Sequence, residues 1–108
     1  MKELVKVSEQ IHSNLLNEEF VVLFFHSSWC GPCKTFHPVL EEIAAKPKYQ
    51  SVFFGSVDVD KERDISKRYH LRTIPTIIGL HKGKVIFQHS GDIKEADFEF
   101  DLNALLAA

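Results

Sequence analysis

The sequence predicts an α/β fold: one central mixed sheet of about five strands with about four helices packed on its two faces. Three observations predict it. Strand-like and helix-like segments alternate three times from the N-terminus. Two further apolar runs, Thr76 to Leu80 and Lys84 to Gln88, are joined by Lys82-Gly83, a short polar turn suited to an antiparallel hairpin. A last helical segment ending near Leu106 closes the chain. Right-handed crossovers between parallel strands then place helices on both sides of the sheet.

Each element follows from local chemistry. Leu4-Val5-Lys6-Val7 reads as a short first strand. Ser8 is a helix cap before Ile11, Leu15 and Leu16, apolar at helical spacing. Phe20 to Phe25 is a continuous apolar run, as expected of a central strand covered on both faces, and Trp29 to Pro32 breaks it. The next helix starts near Cys30 and carries an apolar stripe of Phe36, Val39, Leu40, Ile43 and Ala44. Pro38 is expected to kink it, and Lys46-Pro47-Lys48 to end it. Val52 to Asp60 is a strand, and Asp58 and Asp60 are expected to cap a helix running through Ile65, Tyr69 and Leu71. Asp92 and Glu95 have capping-box spacing for a last helix from about Asp92 to Leu106.

Bulk composition narrows the function. A chain of 108 residues with 44% hydrophobic and 26% charged residues is expected to form a single globular domain, residues 1–108. Thirteen basic residues scattered among fifteen acidic ones leave no basic stripe, so nucleic acid is not an expected partner. No segment approaches the roughly 20 apolar residues of a membrane span, and the first residues lack the pattern of an export signal. Two cysteines are too few for a disulfide scaffold, which fits a reducing compartment and a cytoplasmic protein.

Those two cysteines carry the chemistry. Cys30 and Cys33 sit in Trp29-Cys30-Gly31-Pro32-Cys33-Lys34 at a strand-to-helix junction, where a two-residue gap lets the sulfurs open and close as a disulfide. A helix start favours the thiolate of Cys30, because its free N–H groups carry positive partial charge and lower the thiol pKa from about 8.5. Lys34 adds to that field. Cys30 is expected to reach solvent as the attacking thiol, and Cys33, one turn further in and more buried, is the expected resolving thiol. Pro32 sets the start of the helix, and Gly31 permits close approach of a client backbone. A zinc site is not expected, since none of His12, His26, His37, His70, His81 or His89 forms a ligand pair at finger spacing. Haem attachment is not expected either, because residue 34 is Lys.

The run Trp29 to Lys34 resembles the active-site motif of the thioredoxin family, and Gly31-Pro32 is the dipeptide typical of the thioredoxins. Pro38, Asp58 to Asp60, Thr73-Ile74-Pro75-Thr76, Gly83 and Gly91 extend the resemblance over nearly the whole chain. It implies the thioredoxin fold and a protein disulfide reductase without a bound cofactor. Such a protein cycles a Cys30–Cys33 disulfide with electrons from NADPH through thioredoxin reductase, reduces client proteins, and acts as a monomer. It further implies a cis peptide before Pro75 in a loop facing the dithiol, with the Ile74 main chain free to pair with an extended client. Trp29, Thr73, Ile74, Pro75 and Gly91 then make the docking surface.

The chain departs from that pattern at two positions. Most thioredoxins carry a buried carboxylate six residues before the first cysteine and a lysine on the neighbouring strand; Phe24 and Ser56 stand there instead. His26, two residues beyond Phe24 on the same strand face, is placed to take over proton handling for Cys33. The missing pair leaves two alternatives open. One is a specialised thioredoxin-like protein with a dedicated client; the other is a non-catalytic binding module or redox sensor on the same fold.

Overall fold

The computed structural model describes residues 2–108. Its axis is strand β2, Phe20–His26, whose five residues Val21 to Phe25 are all fully buried. Along it, successive side chains enter two different cores. Val22 and Phe24 join one cluster, while Val21, Leu23 and Phe25 join another on the opposite face. An apolar run without polar alternation thus marks a strand sandwiched between two helical layers.

Strands β1 (Val5–Lys6), β3 (Phe53–Asp58), β4 (Thr76–His81) and β5 (Lys84–Ser90) complete a five-stranded sheet of order β1-β3-β2-β4-β5. β3 runs parallel to β1 and β2; β4 is antiparallel to both β2 and β5. Helices α2 (Gly31–Ala44) and α4 (Glu95–Leu106) supply Phe36, Leu40, Phe98 and Leu102 to the first cluster. Helices α1 (Glu9–Leu15) and α3 (Arg63–Arg68) supply Leu15 and Ile65 to the second. This is the mixed sheet and four-helix arrangement that the sequence predicts. Among the described residues, no helix is long and apolar enough to cross a membrane.

The differences lie at helix ends and have local causes. Ser8 does cap α1, accepting the N–H of Ile11 at 3.3 Å. Asp58 and Asp60, by contrast, do not cap α3. Asp58 Oδ1 accepts the N–H groups of Asp60 and Lys61 at 2.9 and 3.3 Å, a turn that delays the helix to Arg63. His70, in the left-handed region at φ 53°, then stops α3 short of Leu71. α2 ends at Ala44 because Lys46 precedes Pro47 and is held extended, and a separate 3₁₀ turn follows at Pro47–Tyr49. α2 itself continues through Pro38. α4 starts at Glu95, not Asp92: the Asp92 carboxylate takes Lys94 Nζ at 2.8 Å, and Lys94 is the extended residue before the helix.

Polar groups tie the layers together. Tyr49 is fully buried, and its hydroxyl donates to Glu99 at 2.9 Å and contacts Asn103 at 3.0 Å on α4; Lys46 grips the same Glu99 at 2.8 Å. On the other face His12 of α1 is fully buried against the Tyr69 hydroxyl at 2.5 Å.

A Cβ on Gly79, where the β4–β5 register shifts, would strike the Phe87 ring. Gly79→Ala is therefore expected to destabilise the protein by about 1–3 kcal/mol in urea denaturation. Burial holds the His12 imidazole below its usual value of 6.5, with Arg68 adding to the effect and Glu9 opposing it. The unfolded chain therefore binds a proton there before the folded one does. Its share of stability is complete above pH 6.5 and declines as pH falls toward the folded value. The urea midpoint should drop between pH 7.5 and 5.5, and the drop should be smaller in His12→Gln.

Candidate active site

β2 ends at His26, and a tight turn follows in which Cys30 N–H donates to Ser27 O at 3.4 Å; α2 begins at Gly31. Cys30 is the N-cap of α2, with extended backbone (φ −90°, ψ 107°), and its Sγ accepts the backbone N–H of Cys33 at 3.2 Å. A sulfur in the position of a capping oxygen receives the partial positive charge of the helix start. Gly31 and Pro32 form the first turn, where a missing proline N–H costs no helical bond. Cys30 and Cys33 are joined as a disulfide, with Cα atoms 5.3 Å apart.

Contrary to the expectation of an exposed attacker over a buried resolver, both cysteines are buried, Cys30 at 4% and Cys33 at 2% exposure. In the closed disulfide, Cys30 Sγ is held by its bond to Cys33 and by the amide it caps, and both cysteines join the cluster of Phe24 and Phe36. Lys34 is exposed on the first turn.

A second loop meets this junction. The Ile74–Pro75 peptide is cis, as the resemblance implies. Gly91, at φ 75°, donates its N–H to Pro75 O at 2.9 Å. Thr76 Oγ1 donates to Thr73 O at 2.7 Å and lies 3.0 Å from Ser90 Oγ. Thr76 and Ser90 were not apparent as supports in the sequence, because a hydroxyl one residue past a proline carries no spacing signal. A groove of about 610 Å³ runs between α2 and this loop, lined mainly by Pro32, Val39, Ile74, Pro75, Gly91 and Ile93. The structure thus brings Ile74, Pro75 and Gly91 together with Pro32, while Trp29 and Thr73 lie outside the groove lining. Asp92 also lines it, its carboxylate exposed and paired with Lys94 instead of capping a helix.

Trp29 is 70% exposed, and its indole N–H donates to Asp60 Oδ2 at 3.0 Å. Asp60, expected to be a helix cap, is instead the acceptor that restrains this ring. A contact across 31 residues leaves no trace in local sequence.

Phe24 and Ser56 are register partners on β2 and β3, and both are buried. His26 and Asp58 form the next partnered pair on that face. The His26 ring stacks on Phe24 at 5.7 Å and lies 6.3 Å from the His37 ring. Burial holds the His26 imidazole below its usual range; Asp58 opposes this, while His37 and Lys6 add to it.

A disulfide that caps a helix in a CxxC turn can be attacked by a thiol and re-formed from a dithiol, which places the protein among the thiol–disulfide oxidoreductases. The Thioredoxin family model matches residues 3–104. A thioredoxin of Mycoplasmoides gallisepticum is 35% identical over 99 residues, 92% of this chain and 96% of that protein. The mitochondrial thioredoxin of Bos taurus is 34% identical over 90 residues, 83% of this chain but 54% of that longer protein. The crystal structure of thioredoxin from Trypanosoma brucei brucei superposes with a TM-score of 0.86 at 27% identity, covering 98% of this chain and 93% of that one. The chain belongs to the thioredoxin family.

Trp29 is the only tryptophan, so its fluorescence reports the indole contact directly. Asp60→Ala should lower its anisotropy and alter its emission while changing stability by no more than about 1 kcal/mol, since the bond is solvent-exposed.

Proposed function

We propose that the protein is a protein disulfide reductase in which Cys30 attacks a client disulfide and Cys33 resolves the resulting mixed disulfide. One observation carries this reading: Cys30 Sγ accepts a backbone N–H at the start of α2 while paired with Cys33. The helix terminus that donates a hydrogen bond to this sulfur also stabilises its thiolate once the disulfide opens. The cycle is balanced. Two electrons pass from the dithiol to the client disulfide, the client leaves with two thiols, and the Cys30–Cys33 disulfide is restored for reduction by thioredoxin reductase at the expense of NADPH.

Clients dock in the apolar groove beside the disulfide. Ile74, Pro75 and Gly91 supply backbone and apolar contact there, and Trp29 and Thr73 extend the docking surface beyond the groove lining. The protein works as a monomer in the cytoplasm, passing electrons to several clients; a cysteine content confined to the reactive pair supports a reducing compartment. Phe24 and Ser56 favour a second reading, a thioredoxin-like protein dedicated to one client, which turnover across a panel of disulfide proteins separates from the first.

The test is a coupled assay with NADPH, thioredoxin reductase and a disulfide protein. The unmodified protein should consume NADPH in a client-dependent manner. Cys33→Ser should lose more than about 99% of turnover and accumulate a mixed disulfide through Cys30, visible by mass spectrometry. Equal inertness of both cysteines to alkylation in the reduced, folded protein would overturn the reading.

A further inference from the structure

Cys33 must lose a proton before it attacks a mixed disulfide, and its immediate surroundings are apolar. It shares a cluster with Phe24, Phe36 and Leu40, and such burial disfavours a thiolate. Two titratable side chains reach this cluster through Phe24. His26 stacks on its ring at 5.7 Å, and His37 meets it edge-on at 5.8 Å. His37 follows Cys33 by four residues on α2, so the two share a helix face with Cβ atoms about 5–6 Å apart. Both imidazoles line a cavity of about 560 Å³ on the side of the sheet where Phe24 opposes Ser56. At about 30 Å³ per molecule, a polar-walled opening of that size admits many waters in solution.

We propose that His26 and His37, acting as a pair across this cavity, accept the Cys33 thiol proton and pass it to solvent. The proposal deepens the disulfide-exchange reading above and rests on it. The step is a proton transfer followed by a displacement. The thiol of Cys33 gives its proton to a neutral imidazole, directly or through one water. The thiolate then attacks Cys30 Sγ, the Cys30–client S–S bond breaks, and the leaving client sulfur takes a proton from the imidazolium or from water.

The surrounding charges suit that task. Asp58 stands beside His26 in the strand register and favours the imidazolium once it forms. Glu41 Oε2 lies 3.7 Å from His37 Nε2, one turn along α2. Lys6 on β1 opposes protonation of His26, and the charged side chains Glu3, Lys61 and Glu62 also line the cavity. Burial, the largest influence on His26, keeps its imidazole neutral at neutral pH and therefore able to accept. Neither histidine is held by a short side-chain bond to a carboxylate, unlike His89, whose Nε2 is 2.7 Å from Asp101.

The experiment has three arms. In a Cys30→Ser protein, where Cys33 is the remaining thiol, thiolate absorbance is followed against pH with and without His26→Gln and His37→Gln. The double replacement should leave about tenfold less Cys33 thiolate at neutral pH. Single-turnover client reduction at pH 7 by the double variant with both cysteines present should slow about 100-fold, the lower end of what a positioned proton acceptor supplies, and the deficit should shrink at alkaline pH. The third arm needs no substitution: the ring resonances of His26 and His37 are titrated by NMR in the oxidised and the reduced protein, and both midpoints should move on reduction. Superimposable Cys33 titrations and pH–rate profiles, or histidine midpoints blind to the redox state, would overturn the proposal. Absence of client reduction by the unmodified protein would remove the exchange reading itself, whatever the titrations show.

Discussion

The bond from the Cys33 amide to Cys30 Sγ, at the point where β2 gives way to α2, is the contact on which the rest of the site depends. It requires a sulfur at the N-cap, a first turn that can include a proline, and a strand rigid enough to fix where the helix begins. β2 meets the last requirement because it is central in the sheet, paired on both edges and buried along five successive residues. A helix terminus on a mobile segment would present the same partial charge without a fixed direction, and so would not distinguish one sulfur from its neighbour.

The second half of the site is secured differently. The Thr73–Pro75 loop is held by single hydrogen bonds, from Gly91 N–H to Pro75 O and from the Thr76 hydroxyl to Thr73 O, against the end of β5. Because β4 is paired antiparallel to β2 and β5, its start, the end of β2 and the end of β5 lie at the same edge of the sheet. Sheet topology therefore brings residue 75 to residue 32, and local chemistry trims the fit. Trp29 follows the same logic, its indole tied to Asp60 beyond the end of the neighbouring strand.

Beneath the disulfide, Phe24 and Ser56 change what the interior can do. An aromatic ring opposite a hydroxyl avoids the desolvation cost of burying opposite charges, which even a well-paired ion pair bears. It also moves the nearest titratable groups outward to the cavity edge, where His26 and His37 touch the same ring and face water. Stability and proton chemistry are thereby assigned to different residues.

Strand and helix identities, their order, and the cysteine pair were legible in the sequence because each depends on neighbours within a few residues: the uninterrupted run at Phe20 to Phe25, the i, i+4 stripe of α2, the two-residue gap between the cysteines. Helix ends were less legible. Asp58 and Asp92 have the composition of caps, yet a turn amide and a lysine compete for their oxygens, and the winner depends on backbone direction. The sequence by itself determined the chemistry available, two sulfurs at a helix start, since covalent spacing and periodicity suffice for that. Only the tertiary structure decided that Asp60 restrains Trp29, that Thr76 and Ser90 brace the loop, and that His37 joins His26 against Phe24. Those contacts span many residues of chain and come into being through sheet pairing and helix packing.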